Sequence, residues 1–125
     1  MSSVTVDLIT FDSQGQEYVL YLVESEPIPT SGAERKERLG HIQNRVFDAF
    51  DVVVDGVLES KFPDSRGKAV RIEVDTPTFS DDELEELIRR VDVFTRESEQ
   101  YRSAVEASTH TAVRIVTGRA IGRFG

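Results

Sequence analysis

The amino-acid sequence predicts a small α+β domain of order β-β-α-β-α(-β), with two helices packed on one face of a small, mostly antiparallel sheet. Three observations predict it. Tyr18 to Val23 is an unbroken apolar run rich in strand formers. Two longer segments carry apolar residues every three or four positions. Turn clusters containing Gly or Pro separate these segments. A striped helix cannot bury its apolar side alone, and a sheet with one apolar face needs a cover, so helices laid on one side of the sheet satisfy both.

The elements follow in order. Val4 to Phe11 alternates weakly and is the first strand; Tyr18 to Val23, apolar on both faces, is an interior strand. Asp12-Ser13-Gln14-Gly15-Gln16 joins them as a hairpin turn in which Gly15 supplies positive φ. Pro27 and Pro29 stop strand pairing, because neither has an N–H to donate. Ser31 and Glu34 have the spacing of a capping box, and a helix runs from there to about Asp55. Leu39, Ile42, Val46, Phe50 and Val53 form its apolar stripe; His41, Arg45, Asp48, Asp51 and Asp55 fall on the opposite side. Gly56 ends it in a left-handed cap, and residues 57–62 add one more turn before Pro63.

Pro63-Asp64-Ser65-Arg66-Gly67 is a turn, with Pro presetting one φ and Gly taking the left-handed residue. In the strand that follows, Val70, Ile72 and Val74 alternate with Arg71, Glu73 and Asp75, which predicts one wet face and an antiparallel or edge position. The second helix is capped by Ser80 with Glu83, stapled by Phe79 and Leu84, and persists to Gln100 or beyond. Leu84, Leu87, Ile88, Val91 and Phe94 make its stripe, which Tyr101 and Val105 extend. Residues 1–106 are read as one domain. Residues 107–125 are a basic tail with Gly-Arg repeats, in which Thr111 to Thr117 has strand composition.

Composition narrows the function classes. The chain has 125 residues, a formal charge of −8 and no Cys, so disulfides, thiolate chemistry and Cys-ligated metals are excluded. Net acidity repels phosphates, which argues against nucleic acid and anionic membranes as partners. No apolar run approaches the roughly 18 residues that span a bilayer, and the start lacks the order of a signal peptide, so the expected location is cytoplasmic. The excess of 12 Arg over 3 Lys is read as the coding bias of a GC-rich bacterial genome. After Glu106 there is no acid, so the last nineteen residues carry +3 and the first 106 carry −11. Such a separation suggests a tail that folds back or docks on a neighbour's acidic face.

Candidate reactive groups are few. His41 lies four residues before Arg45 and seven before Asp48, an arrangement in which an Asp could orient an imidazole for acid–base work. The plainer reading is a solvated histidine. His110 has no acid beside it in sequence, and no metal or cofactor site is expected from two histidines. Asp48, Asp51 and Asp55 line a solvated helix face, while Asp81, Asp82, Glu83, Glu85 and Glu86 suit the positive end of a helix dipole. Gly67-Lys68 lacks the spacing of a phosphate loop and leads into a strand. Arg114, Arg119 and Arg123, with Asp48, Asp51 and Asp55, are the candidate partner-binding residues for a protein partner or self-association.

The run from Leu39 through Ile42-Gln43-Asn44-Arg45-Val46-Phe47-Asp48-Ala49-Phe50, then Asp55-Gly56-Val57-Leu58, then Phe62-Pro63-Asp64 and Gly67 to Val74, resembles a family of small uncharacterised bacterial α+β proteins. The resemblance covers roughly residues 6–94 and rests on a helix ending in Gly, an aromatic-Pro turn and a Gly-started strand. It implies a fold and no activity for particular residues. The sequence reading is therefore a non-catalytic binding or assembly module, possible homodimer included, with an acidic body and a basic C-terminal tail. The alternative is a small enzyme or ligand-binding domain using His41 and Asp48 in a cleft, at a subunit interface in one version.

Overall fold

A computed structural model describes residues 6–118. The strands are β1 (Leu8–Asp12), β2 (Glu17–Val23), β3 (Ala69–Asp75) and β4 (Val113–Gly118). The helices are α1 (Gly32–Val54), α2 (Val57–Lys61), α3 (Asp82–Glu97) and α4 (Glu99–Ala107), with a single 3₁₀ turn at Pro63–Ser65. The architecture is α+β, and the strands form one sheet of order β1-β2-β3-β4.

The sheet is mixed, which corrects the expectation of a mostly antiparallel one. Among the described residues only β1 and β2 pair antiparallel, as the hairpin, with Ile9 opposite Leu20 and Phe11 opposite Tyr18. β2 runs parallel to β3, and β3 parallel to β4. The cause lies in the connections: α1 carries the chain from β2 to β3, and α3 with α4 from β3 to β4. Long helical crossovers return the chain in its starting direction, and because both step the same way across the sheet, both place their helices on one side.

β3 is consequently a central strand, and the expectation of an edge position with a wet face fails. Glu73 and Asp75 are buried although charged. Alternation of apolar with charged residues reported two different faces correctly, but on the charged one Arg71 pairs with Glu17 and Glu73 instead of facing water.

One apolar core joins helices to sheet. Leu20, Leu22, Val70, Ile72, Val74, Val113 and Ile115 supply the sheet side. Ile42, Val46, Ala49, Phe50 and Val53 of α1, with Leu84, Ile88 and Val91 of α3, supply the other. Register keeps these sheet residues in rows: Leu20 beside Ile72 beside Ile115, and Tyr18 beside Val70 beside Val113. Gly56, at φ 90°, lets the chain leave α1 and begin α2 directly.

Local details differ from the sequence reading in four places, the first being Ser31, which stands at the N-cap of α1 with no cap hydrogen bond from its side chain. The left-handed residue of the hairpin turn is Gln16, at φ 54°, and not Gly15. Asp12 organises that turn by accepting from Gln14 N (3.1 Å) and Gly15 N (3.2 Å). The cap of α3 is Asp81, whose carboxylate accepts from Leu84 N at 3.0 Å, one residue after the expected Ser80. An Asp answers the same free N–H groups as a Ser and adds charge to the dipole's positive end. The second helical segment breaks at Ser98, which takes extended angles and ends α3 while starting α4. The bend brings Tyr101 against Phe47 and Phe50 (ring centroids 5.6 and 5.5 Å), where a straight helix would carry it past them.

Candidate functional site

Charged side chains were the candidates, and the structure sorts them into those consumed by the fold and those left on the surface. On α1, His41 is exposed and lies with Glu34, Glu37, Arg38 and Asn44 around a shallow depression. Asp48 is half-buried, seven residues along the same helix, or about 10 Å at 1.5 Å per residue. A hydrogen bond needs about 3 Å, so α1 by its own geometry does not join His41 to Asp48. Arg45, between them in sequence, reaches instead towards the sheet end. It pairs with Glu24 and with Asp7 (3.1 Å), while Arg38 holds the other oxygen of Glu24 at 2.8 Å. Two guanidiniums thus fix a buried carboxylate at the exit of β2.

Asp48 and Asp51 lie on the last two turns of α1 and Asp55 is its C-cap; the last turn carries no basic residue, and none of the three acids has an ion pair among the described residues. The C-terminal end of a helix already presents partial negative charge. Burial, and then the charges of Asp55 and Asp48, raise the Asp51 carboxyl above its ordinary value. These acids are therefore unfavourable neighbours of one another and of the helix end.

Arg114 is paired within its own sheet. It stands half-exposed on β4 and grips Glu17 of β2 with two bonds, Nη2 to Oε1 at 2.6 Å and Nε to Oε2 at 3.2 Å. Arg71 of β3, between those strands, donates to the same Oε1 at 2.7 Å and lies 3.2 Å from Glu73 and 3.6 Å from Asp12. The result is a strap of charge that touches all four strands on the face opposite the helices. Hydrogen bonding from Arg114, reinforced by the positive charges of Arg114 and Arg71, holds the Glu17 carboxyl below the usual carboxylate range against the effect of burial. A carboxylate so pinned is a structural anion and a poor proton carrier. Gly118 belongs to this arrangement: a Cβ there would collide with the Glu73 carboxylate.

Sequence reasoning passed over Glu17, Arg71, Glu73 and Asp75 as a group. The available signal was opposite charge at alternate positions of one strand, Arg71 then Glu73, with a further acid opening the most apolar strand.

His110 is buried in the connection entering β4. Its Nδ1 is 3.2 Å from the Lys68 carbonyl, and Gly67 N donates to the Thr109 carbonyl at 2.9 Å, so the connection is sewn to the turn before β3. Nε2 of His110 and Oγ of Ser65 have no hydrogen-bond partner among the described residues. Among those residues no three His, Asp or Glu side chains gather as a metal-ligand set, and no helix is long and apolar enough to cross a membrane. Arg119 and Arg123 lie outside the described residues.

A groove of about 490 Å³ runs between the outer side of α3 and β4, the last strand of the sheet. Ile88, Ile115 and Val116 give it an apolar lining, Asp82, Glu85, Glu86 and Asp92 an acidic one, and Arg89 a single basic side chain. Asp92 accepts from Ile115 N at 2.8 Å, closing one outward N–H of the strand edge. No family model, curated protein or solved structure matches this chain.

Proposed function

We propose that the chain is a non-catalytic binding and assembly module that offers acidic helix surfaces to a protein partner or to its own copies, in the bacterial cytoplasm. The observation that carries this reading is the stack of Asp48, Asp51 and Asp55 at the wrong end of α1 for helix stability. Local rules are broken at sites where function outweighs stability, and an uncompensated acidic stack is suited to a cationic surface. The kinship suggested by residues 6–94 stands as part of the same proposal and adds no activity.

The other reading, an enzyme or ligand-binding domain using His41 and Asp48, has in its favour the depression beside the exposed His41. It would need a second subunit or a ligand to complete the set. Affinity capture from the source cells, with the wild-type chain, His41→Ala and a triple Asp48→Asn/Asp51→Asn/Asp55→Asn variant as baits, separates the two. The binding reading expects the triple variant alone to lose the specifically retained protein. Loss with His41→Ala and retention with the triple variant would sink it.

A further inference from the structure

We propose that the groove between α3 and β4 receives residues 119–125 of a second copy of this chain, in a reciprocal exchange that makes a two-fold dimer. This rests on the assembly reading but uses a different surface from the α1 stack.

Charge is the first argument. Glu86 is paired with Arg89 and Arg90, and Asp92 with Arg96, whereas Asp82 and Glu85 have no ion pair among the described residues. The groove therefore keeps unneutralised carboxylates beside an apolar floor. On the other side of the ledger, Arg114 is held by Glu17, so the positive charge that the C-terminal end has left to offer is Arg119 and Arg123.

Spacing is the second. In an extended chain Arg119, Ile121 and Arg123 share one face, with the two Arg about 13 Å apart at 3.3 Å per residue. From Asp82 to Asp92 along α3 is about 15 Å. A strand with Arg-Ile-Arg on one face thus sets one Arg beside the unpaired Asp82 and Glu85, Ile121 on the apolar floor, and the other Arg beside Asp92, which it would share with Arg96 and the Ile115 N–H.

The third argument is where β4 ends. Gly118 closes β4, its carbonyl still accepting from Thr76 N at 3.0 Å, and Thr117 lines the groove. To enter its own groove the chain would have to reverse at once, which spends Arg119 in the turn and leaves one Arg for the acids. A neighbour's segment can lie in the groove with both. Seven residues reach about 23 Å when extended, enough to cross a two-fold contact, and mutual exchange closes the assembly at two copies.

Light scattering on the eluting chain of residues 1–125 tests this. The wild type is expected to run as a dimer. Arg119→Glu/Arg123→Glu and Asp82→Lys/Glu85→Lys should each run as monomers with unchanged circular dichroism, their self-association weakened about tenfold or more. Mixing the two reversed variants should restore a heterodimer, since reversed charges again face each other. A peptide of residues 117–125 should compete with the wild-type dimer. A monomeric wild type, a dimer that survives either reversal, or a mixture that stays monomeric would overturn the proposal. Capture through the α1 acids is read separately on the Arg119→Glu/Arg123→Glu variant, so this inference can fail while the binding reading stands.

Discussion

Replacing Asp51 by Asn should make the protein more stable, although it removes a charge from the surface of a long helix. Asp51 faces Asp48 one turn before and Asp55 one turn after. Each like-charge pair at such spacing costs about 0.2–0.5 kcal/mol, and an acid near a helix C-terminus about 0.3 kcal/mol or more. Screening at this exposed position keeps the total near 1 kcal/mol, which for a domain of this size moves the melting temperature by about 4 °C. The pH dependence has a definite sign. Because the folded Asp51 carboxyl sits above its ordinary value of 3.8, the folded state binds its proton more tightly than the unfolded chain does. The penalty is complete above the raised folded value, shrinks as pH falls through it, and is gone below the unfolded value. Thermal and urea melts of both proteins at neutral pH, at pH near 3 and at raised salt should show the advantage of Asp51→Asn at neutral pH alone, reduced by salt. A less stable variant at neutral pH, or a gain that persists in acid, would refute the reasoning.

Three further outcomes follow from the packing and the ion pairs. Phe50→Ala, at a side chain 1 % exposed in the middle of the core, should cost about 3–5 kcal/mol in urea unfolding. Glu17→Gln should cost about 2 kcal/mol at neutral pH by releasing Arg114 and Arg71 from their shared carboxylate. Because the folded Glu17 carboxyl is lowered from 4.5, its stabilisation is present above that value and is lost as pH falls through the folded one, so the two proteins should converge in acid. Asp81→Ala removes both the cap of α3 and the two bonds to Arg35 at 2.8 and 3.0 Å; a loss of about 1–2 kcal/mol is expected in the same assay.

What the sequence disclosed depended on whether a residue's role was local. Gly56 and Gly67, both at positive φ, were legible because a turn conformation is dictated by its own residues. The stripe of α1 and the strand character of Tyr18 to Val23 were legible from periodicity. Strand direction was not, because it depends on where a crossover lands. Charged positions in β3 therefore suggested water, where the fold supplies Arg71 and Arg114 as partners for Glu17 from two different strands. The choice between Ser80 and Asp81 as cap could not be made locally either: Arg35, forty-six residues away, draws the Asp81 carboxylate into a bridge that also holds the two helix starts together. Arg45 shows the same limit at the candidate site. Its neighbours along α1 are His41 and Asp48, but its partners are Glu24 and Asp7 on the strand side.

The central claim is that the acids ending α1 lower stability and serve contact. It is tested most directly by measuring both properties on one preparation of the Asp48→Asn/Asp51→Asn/Asp55→Asn variant. The account predicts a higher melting temperature together with loss of the partner that the wild-type chain retains. A lower melting temperature with the partner still bound would contradict it.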